Sequence, residues 1–315
     1  MRVSVIIVNL NGDPFIYDCL DGLMRQSYED FETIVVDNGS NDGSPKKIRE
    51  KFPSIKVIEL GANKGFAFAC NEGFRRSKGE EIAVLNNDAV PDQDWLKQMV
   101  SALDSDPGLG MVACKVLSQK SGKFESGGLY PGRNGLVYLF VPGDQDRQQP
   151  VFGACGVGGL YRGKMLRELG FYPEDFFIYY EDADIAYRTQ RAGFSAVYCP
   201  AAVLSHLGSE TTTGMGIKNY CLPRNRLRTI VRNWDLSIII KNLPWLLFYE
   251  WGSFAGGLLN NPWNAVKARV DFLRFISADL KARKEIFARA RRGFDLDKWI
   301  SKKYPGLFEL RSARK

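Results

Sequence analysis

An aspartate follows a run of residues that is typical of a buried strand. Residues 83–88 read AVLNND, so an apolar segment leads directly into a polar turn that carries the carboxylate of Asp88. In an open parallel α/β sheet, ligands bind just beyond the carboxyl ends of the strands, which is where Asp88 would lie. The alternative is that Asp88 caps a helix expected to start near Asp92. The position therefore predicts either a ligand-facing carboxylate or a helix cap.

Three more carboxylates, those of Glu181, Asp182 and Asp184, follow the aromatic and apolar residues 176–180. Burial penalises the charged form of a carboxyl group, so acids that emerge from an apolar wall are costly unless they are used. One of them could take a proton from a hydroxyl within hydrogen-bond reach, as a general base does. Acids in this place could equally stabilise the N-terminus of the next helix. Both roles can coexist, with one carboxylate capping and another reacting.

Polar side chains also lie at or just beyond the ends of successive apolar runs, namely Asn9, Asp37, Asn63 and Asp88. Each alone would be ordinary turn or capping chemistry, but four of them at strand ends indicate one shared binding site. The carboxylate of Asp37 could accept the N3–H of a uracil or thymine ring, a donor that cytosine lacks. The pattern predicts a nucleotide site.

A nucleoside diphosphate that leaves develops negative charge, which a divalent cation such as Mg²⁺ or Mn²⁺ neutralises through oxygen ligands. Asp88 is the obvious ligand, and Asn86 lies two residues earlier on the same side of an extended chain. His206 is the only histidine, and it follows an apolar run in a polar turn that suits a metal or phosphate contact. A lone histidine is as often a structural hydrogen-bonding residue, so both interpretations of His206 stay open.

Predicted strands and helices alternate along the part of the chain that carries these residues. Apolar runs predict strands, and apolar residues at helical spacing predict helices; the strands cover 3–8, 31–36, 55–60 and 83–88, and the helices cover 14–26 and 66–77. This alternation predicts an α/β fold with a doubly wound, mostly parallel sheet. Residues 117–150 are rich in Gly, Pro, Gln and Ser and are expected to be irregular.

Other classes of protein fit the sequence poorly. No GxGxxG follows the first strand, and residues 158–165 imitate a P-loop but lack its Ser or Thr, which argues against a dinucleotide-binding dehydrogenase and a P-loop enzyme. Six scattered cysteines without a CxxC pair argue against a zinc site or a disulfide framework and favour a reducing cytoplasm. The N-terminal apolar run is too short for a signal peptide and is interpreted as a strand.

The C-terminal part is basic and aromatic. Residues 224–315 contain 20 Lys and Arg against 8 Asp and Glu, whereas the preceding part is mildly acidic. The most apolar stretch, 237–259, is interrupted by charged residues and a proline, so we expect an interfacial helix rather than a transmembrane one. Residues 236–292 are predicted to attach to an anionic membrane surface, with a solvated basic face or a homodimer interface as the alternatives. The predicted anchors are Trp245, Phe248, Tyr249, Trp251, Phe254, Lys267, Arg269, Arg274, Lys281, Arg283, Lys284, Arg289, Arg291 and Arg292.

Taken in order, these motifs resemble the family 2 inverting glycosyltransferases of the GT-A fold. The resemblance covers about residues 3–235 and rests on VIIVN at 5–9, VDNGS at 36–40, NKGF at 63–66 with Asn71, LNND at 85–88, and YEDAD at 180–184 with Arg188 and Gly193. Residues 224–226, RNR, followed by Asn233, are similar to a bacterial rhamnosyltransferase-like branch.

The resemblance implies a role for each matched residue. It implies that Asp37 reads the base, that Asn86-Asn87-Asp88 occupies the place of a DxD metal motif, and that Asp182 of the Glu181-Asp182 pair is the catalytic base. The first acid of DxD is replaced by Asn86, so Asp88 would hold the metal, together with diphosphate oxygens and His206. The nucleotide-sugar site would comprise Asn9, Asp37, Asn63, Lys64, Asn71, Asn86 and Asn87.

The sequence thus predicts a GT-A domain over 1–220, with a nucleotide-sugar half over 1–116 and an acceptor half over 117–220, and a helical extension over 221–315. The expected activity is inverting, metal-dependent transfer of a hexosyl or deoxyhexosyl group from a UDP- or dTDP-sugar to a glycan or lipid-linked acceptor, in polysaccharide synthesis at the inner face of the cell membrane. Two alternatives are a glycoside hydrolase that uses paired carboxylates and a non-catalytic nucleic-acid binder. The basic residues of the tail lack the interleaved stacking motifs of the latter, so no nucleic-acid partner is expected.

Overall fold

The structure is a computed structural model that describes residues 1–208, 216–291 and 293–300. Within these ranges the chain forms an α/β fold in which one central sheet is flanked by helices. The strands are β1 (Val3–Asn9), β2 (Phe31–Asp37), β3 (Lys56–Glu59), β4 (Glu81–Asn86), β5 (Ala89–Pro91), β6 (Leu109–Ser118), β7 (Phe124–Ser126), β8 (Leu129–Pro131), β9 (Val137–Leu139), β10 (Gln149–Val151), β11 (Gly158–Tyr161) and β12 (Ser195–His206).

The helices alternate with the strands in the N-terminal part and follow one another at the C-terminal end. They are α1 (Ile16–Met24), α2 (Ser44–Lys51), α3 (Phe66–Arg75), α4 (Trp95–Asp104), α5 (Gly163–Leu169), α6 (Glu181–Arg191), α7 (Lys218–Asn233), α8 (Leu236–Asn260), α9 (Pro262–Ala288) and α10 (Leu296–Trp299). This confirms the predicted α/β class, the GT-A-like arrangement and the C-terminal helical region.

The central sheet has the strand order β10-β12-β6-β11-β4-β1-β2-β3. β1 runs parallel to both β2 and β4, and β2 runs parallel to β3, as the alternation of strands and helices predicts. Parallel pairing places Asn9 beside Asp37, and Val8 beside Asn86, so the polar ends of these strands do meet at one edge. The other half of the sheet is mixed, because β11 inserts antiparallel between β4 and β6. The two predicted halves of the domain therefore share one sheet.

Residues 117–150 contain more regular structure than their composition indicates. β7 pairs with β6, the hairpin β8–β9 forms a separate small sheet, and β10 lies on the edge of the main sheet. The last strand, β12, continues to His206 across a register shift between Cys199 and Val203. The shift accommodates Pro200, which has no N–H to donate to the neighbouring strand. A proline inside the segment also argues against a continuous strand when only the sequence pattern is considered.

Apolar side chains fill a layer on each face of the sheet. On one face, Ile16, Leu20 and Leu23 of α1 are fully or almost fully buried, in keeping with their helical spacing. On the other face, α3 approaches β1 closely, since a Cβ on Gly73 would lie 2.5 Å from Cγ2 of Ile6. Full burial of such apolar side chains contributes about 1.5–3 kcal/mol each. These two layers fix the sheet edge at which the polar residues meet.

The C-terminal helices pack against the sheet domain through α7. Trp234, just after α7, is fully buried and its Nε1–H donates to the hydroxyl of Tyr187 in α6 at 3.0 Å. α7 in turn packs along α9. None of the helices in the described ranges combines the length and hydropathy needed to cross a membrane. The domain limits at residues 116 and 220 stay predictions, and Arg292 and residues 301–315 lie outside the described residues.

Four of the residues predicted as membrane anchors face inward instead. The guanidinium of Arg269 donates to Glu250 at 2.8 Å and packs on the ring of Phe254, and that of Arg283 donates to backbone carbonyls at the end of α7. The ring of Tyr249 covers the guanidinium of Arg226. These contacts satisfy charges inside the helical bundle, so the basic composition of the segment overstates the positive charge on its surface.

Candidate active site

A cleft of about 360 Å³ opens where β1 and β4 end, at the predicted edge of the sheet. Its size is within the usual range for a small-molecule site. Strand ends, the β7 segment and the N-terminus of α6 all contribute to its walls. The residues that line it are Val8, Leu10, Asn38, Asn63, Phe66, Asn86, Asn87, Asp88, Glu125, Leu139, Cys155, Gly156, Val157, Phe177, Ile178, Tyr179, Glu181, Asp182, His206 and Ile217.

Asp88 and His206 meet in this cleft through strand pairing. Asp88 lies in the turn between β4 and β5, and β5 pairs antiparallel with the end of β12, with Ala89 opposite His206. The result places Nε2 of His206 3.3 Å from Oδ1 of Asp88, and both side chains are buried. Asp88 does not cap the next helix, because α4 begins only at Trp95 and its N-cap residue is Asp94. The capping alternative is therefore wrong.

Glu125, at the centre of β7, completes this acidic corner. Its Oε1 lies 3.0 Å from Nδ1 of His206 and thereby sets the orientation of the imidazole ring. Burial by itself lowers the pKa of His206, but the adjacent carboxylates of Asp88 and Glu125 outweigh it and raise the pKa to about 9. The imidazole is thus cationic at neutral pH when only these two acids face it.

The donor set around Asp88 fits a divalent cation that is shared with a ligand. Nε2 of His206 is buried and has no hydrogen-bond partner among the described residues, and a carboxylate oxygen lies next to it. Imidazole nitrogen and carboxylate oxygen both suit Mn²⁺, and Mg²⁺ commonly uses one or two carboxylates plus phosphate oxygens. In the described part of the chain no group of three His, Cys, Asp or Glu side chains could hold a metal ion. A cation here would take its other ligands from a bound diphosphate.

Asn9, Asp37 and Asn87 form a connected buried network at the ends of β1, β2 and β4. The Asn9 amide donates to Oδ1 of Asp37 at 3.1 Å and accepts from Nδ2 of Asn87 at 3.2 Å. Oδ2 of Asp37 accepts from the backbone N–H groups of Gly39 and Ser40. Asp37 is only 2% exposed. Asn9 and Asp37 thus shape the floor and the following turn, while Asn87 reaches the cleft itself.

The next loop carries Asn63 and Lys64 to the same edge. Oδ1 of Asn63 accepts from the side-chain amide of Asn38 at 2.9 Å, and the backbone N–H of Lys64 donates to Oδ1 of Asn38 at 2.8 Å. Asn38 and Asn63 both line the cleft, and the Lys64 side chain is exposed beside it. The sequence argument missed Asn38, although it lies within the VDNGS motif, because it assigned the turn to Asp37 alone.

Asn71 lies outside the cleft. Its Nδ2 donates to the carbonyl of Tyr172 at 2.9 Å and to Glu174 at 3.0 Å, and its Oδ1 accepts from the N–H of Tyr172 at 3.0 Å. These bonds use both ends of the amide group to attach α3 to the segment that leads into α6. The structure therefore gives Asn71 a scaffold position, whereas Asn86 lines the cleft as expected.

Glu181 and Asp182 begin α6 and face the cleft together. Oδ2 of Asp182 accepts from the N–H of Gly156 at 3.0 Å, and Oδ1 accepts from the N–H of Ala183 at 2.7 Å. Burial raises the pKa of Asp182, and these two backbone donors oppose that rise. Burial and the neighbouring Asp182 charge raise the pKa of Glu181 well above its usual range, and its Oε2 has no hydrogen-bond partner among the described residues. When Glu181 and Asp182 together carry one negative charge, that charge therefore resides mainly on Asp182.

Asp184 has a separate, structural role. Although burial pushes the pKa of Asp184 upward, the charges of Arg232 and Arg188 outweigh it and hold the pKa below its usual range. Nε of Arg188 donates to Oδ2 of Asp184 at 2.7 Å, and the side-chain amide of Asn233 donates to its Oδ1 at 2.9 Å. Asp184 thus ties α6 to α7, and the expected division between one capping and one reacting carboxylate stays a prediction.

The backbone that leads into Glu181 is held in an uncommon conformation. Phe177, Tyr179 and Tyr180 have φ of +68°, +69° and +71°, a region that costs a non-glycine residue about 1–3 kcal/mol. Such conformations persist only where the surroundings hold them. Gly65, with φ of +95°, allows the segment to approach, since a Cβ there would lie 2.7 Å from the carbonyl oxygen of Phe177.

The RNR motif on α7 supplies the contacts that hold this segment. Nδ2 of Asn225 lies 2.9, 3.0 and 2.8 Å from the carbonyl oxygens of Phe176, Ile178 and Tyr179. Arg224 donates to the carbonyl of Phe176 at 2.8 Å and to Oδ1 of Asn225 at 2.9 Å. Asn225 is completely buried. Sequence reasoning found the motif but gave it no contact with the site, and no pattern pointed to Glu125.

Comparisons with known proteins identify the family of this chain. The sequence model of Glycosyl transferase family 2 matches residues 4–170. The poly-beta-1,6-N-acetyl-D-glucosamine synthases of Staphylococcus epidermidis and of Staphylococcus aureus strain COL are each 24% identical over 79% of this chain. The chain spans 60% of the length of these curated relatives.

Solved structures share the fold. A mannosyltransferase from Pyrobaculum calidifontis in complex with GDP-Man and Mn²⁺ is 21% identical, with a TM-score of 0.56 over 91% of this chain and 85% of its own. GalNAc-T7 with UDP, GalNAc and Mn²⁺ is 16% identical, with a TM-score of 0.64 over 90% of this chain and 57% of its own. S. aureus TarS in complex with UDP is 18% identical, with a TM-score of 0.58 over 91% of this chain and 90% of its own. Since the family match covers more than half of the sequence, this chain belongs to glycosyl transferase family 2.

Proposed function

We propose that this chain transfers a sugar from a UDP- or dTDP-linked donor to a hydroxyl of a glycan or lipid-linked acceptor, with inversion at the anomeric carbon, in the synthesis of a cell-surface polysaccharide. Family membership makes it a glycosyltransferase. Support for a polysaccharide product comes from the staphylococcal relatives, which are named as polysaccharide synthases. Support for a nucleotide-linked donor comes from structural neighbours bound to UDP or GDP-Man.

The proposal rests on one arrangement, in which Asp88 and Asp182 face the same cleft from different elements. Asp88 lies at a strand end, 3.3 Å from Nε2 of His206, and a diphosphate and its cation would bind there. Asp182 lies at the start of α6, in a buried setting that raises its pKa toward that of a useful base. A donor held at Asp88 would present its sugar between the two.

On the acceptor side, Asp182 takes the proton of the attacking hydroxyl. Its two backbone partners, the N–H groups of Gly156 and Ala183, fix the direction of the carboxylate and keep it charged. Burial and the charge of Asp182 raise the pKa of Glu181 and so favour its protonated form, which limits the negative charge beside the base. A single displacement from the face opposite the diphosphate inverts the anomeric configuration. Positioning of the two reactants supplies much of the rate.

On the donor side, Asp88 and His206 would hold Mg²⁺ or Mn²⁺, which when bound stabilises the negative charge of the leaving diphosphate. Asn38, Asn63 and Asn86 present amide groups to the same cleft. A carboxylate has about four acceptor positions, and Asp37 uses three of them, on Asn9, Gly39 and Ser40. The fourth is proposed to accept the N3–H of a uracil or thymine base, and Lys64 to contact the phosphates.

The test is the Asp182→Asn variant, which keeps the shape of the side chain but cannot accept a proton. We expect transfer to fall by roughly 10²–10⁴-fold, the usual size of a general-base contribution, while donor affinity stays near wild type. Asp184→Asn is the matched control, because Asp184 lies on the same helix but contacts Arg188 and Asn233 rather than the cleft. That control should lower the melting midpoint but reduce the rate of sugar transfer less than Asp182→Asn does.

The same assay separates the proposal from its alternatives. If Asp182→Asn transferred sugar at the wild-type rate, another residue would be the base, and Glu181 would be examined first. Release of sugar to water without any nucleotide dependence would indicate a glycoside hydrolase instead. A thermal-shift panel of UDP-, dTDP- and GDP-sugars, with and without Mn²⁺, identifies the donor, because a ligand of the folded state raises the melting midpoint.

A further inference from the structure

Helices α8 and α9 form a hairpin with an apolar outer surface. On α8, Ile240, Leu247 and Trp251 are 63%, 60% and 73% exposed, at intervals of seven and four residues that keep them on one side of a helix. At the tip of the hairpin, Leu259 is 89% exposed and Trp263 is 73% exposed. Exposed apolar surface of this extent marks a site of interaction with another molecule or with a membrane.

α9 continues this surface with a stripe of its own. Val266, Val270, Leu273 and Leu280 are 43%, 41%, 61% and 47% exposed, and their spacing of three, four and seven residues again selects one side of the helix. The buried residues of α9, such as Ala268 and Asp279, lie on the side that packs against α7. The stripe therefore points away from the rest of the protein.

The two stripes face the same way. α8 and α9 contact each other where Arg269 donates to Glu250 and where a Cβ on Gly257 would meet Ala265. On both helices the exposed apolar residues directly follow these contact residues, as Trp251 follows Glu250 and Val270 follows Arg269. A step of one residue along a helix is a rotation of about 100° about its axis. Because the two helices are antiparallel, this rotation places the exposed stripe of each helix on the same side of the pair. The stripes thus merge into one face, termed here the hairpin face.

Basic side chains border the hairpin face. Lys281 and Lys284 follow Val270 and Leu273 by eleven residues, about three turns, so they lie on the same side of α9. Both are exposed, and neither forms an ion pair with any residue that the structure describes. Arg274, which is 73% exposed, also lies along this border, although it contacts Asp271. The exposed Glu285, next to Lys284, is an acidic side chain among these basic ones.

We infer that the hairpin face docks on the surface of an anionic lipid bilayer. Exposed tryptophans beside leucines suit the boundary between headgroups and acyl chains, and flanking lysines suit anionic headgroups. A second copy of the chain would present the same surplus of basic side chains, since Lys281, Lys284 and Arg274 outnumber the exposed Glu285 beside them, whereas an anionic bilayer would neutralise that surplus. Charge complementarity therefore favours lipid over self-association.

The tip of the hairpin reaches the wall of the cleft. Nδ2 of Asn264, in the first turn of α9, donates to the carbonyl of Gly216 at 3.3 Å, and the adjacent Ile217 lines the cleft. A bilayer against the hairpin face would thus hold the opening of the site close to the headgroups. This consequence rests on the proposed function, because it assigns the acceptor to the class of amphiphiles whose reactive hydroxyl stands at a membrane surface.

Flotation of the full chain with vesicles tests the inference without any sugar donor or acceptor. Vesicles of phosphatidylcholine with phosphatidylglycerol should bind the protein, and Trp251→Gln/Trp263→Gln should weaken binding about tenfold, since binding scales with buried apolar area. Lys281→Ala/Lys284→Ala should weaken binding several-fold and reduce its salt dependence. Met24→Gln, at an exposed position on α1, is the control and should bind like wild type.

Several outcomes would overturn the inference. Equal flotation of all variants, or no flotation of the wild type, would do so. A wild-type dimer in sedimentation that Trp251→Gln/Trp263→Gln dissociates, without vesicle binding, would make a second copy the occupant of the face. Circular dichroism confirms that each variant is folded. Absence of sugar transfer together with tight vesicle binding would refute the proposed function and leave the lipid surface standing.

Discussion

Replacing Asn225 with alanine should impair catalysis more than donor binding. Asn225 does not line the cleft, but its amide holds the carbonyls of Phe176, Ile178 and Tyr179 in the segment that delivers Glu181 and Asp182. Three residues of this segment have positive φ. Without the amide, the backbone can relax toward ordinary φ values and carry the start of α6 away from its working position.

The contacts give the size of the effect. One amide has two N–H groups, so it forms at most two full hydrogen bonds among its three acceptors, and the carbonyl of Phe176 keeps its bond from Arg224. Two lost bonds at about 0.5–1.5 kcal/mol each, with buried carbonyls left less well satisfied, give roughly 3 kcal/mol. At about 2.1 cal/mol/K per residue, that loss lowers the melting midpoint by roughly 5 °C. Displacement of a reacting group by about 1 Å costs on the order of 10²-fold in rate.

The assay compares turnover, donor affinity and melting midpoint in Asn225→Ala and in Asn242→Ala. Asn242 is also a buried amide, but it donates to the carbonyl of Ile238 within its own helix. We expect a fall in kcat of on the order of 10²-fold for Asn225→Ala only, with donor affinity near wild type in both variants. Wild-type kcat in Asn225→Ala below its melting range, or an equal loss in Asn242→Ala, would refute the reasoning.

Three further predictions follow from single contacts. Asp88→Ala should abolish transfer and metal-dependent diphosphate binding, with a smaller loss for His206→Ala; calorimetry that shows unchanged metal-dependent affinity in Asp88→Ala would contradict the metal assignment. Glu181 has a raised pKa, so wild-type stability should fall as pH rises from the unfolded pKa toward the folded one, while Glu181→Gln lacks this fall; parallel melting curves from pH 4 to 8 would contradict it. Gly65→Ala should lose activity, because its Cβ would meet the backbone of Phe177, whereas Gly61→Ala, with φ of +72° and open space around it, should lose only stability; equal activity in the two variants would count against the contact.

Elements with a local signal could be predicted from the sequence alone. Apolar runs and helical spacing predicted β1, β2, β3, β4, α1 and α3, and parallel pairing then required Asn9, Asp37 and Asp88 to gather at one edge. The abrupt change from aromatic residues to carboxylates marked the beginning of α6. These inferences succeed because side-chain periodicity and strand-end geometry depend on neighbours in the chain.

The distant residues that complete the site become apparent only from the packing of the folded chain. His206 reaches Asp88 because β12 passes Pro200 and pairs with β5, and Glu125 joins them from a strand of three residues. Asn225 reaches the segment that precedes Glu181 because α7 packs across it, whereas Asn71 bonds to Tyr172 and points away from the cleft. Each of these contacts joins residues far apart in the chain, and their side chains satisfy buried polar groups that exist only once the sheet and helices have packed. The periodic pattern of apolar residues in the sequence does not indicate such partners. The strands and helices can therefore be predicted from local sequence, whereas the complete set of site residues depends on how they pack.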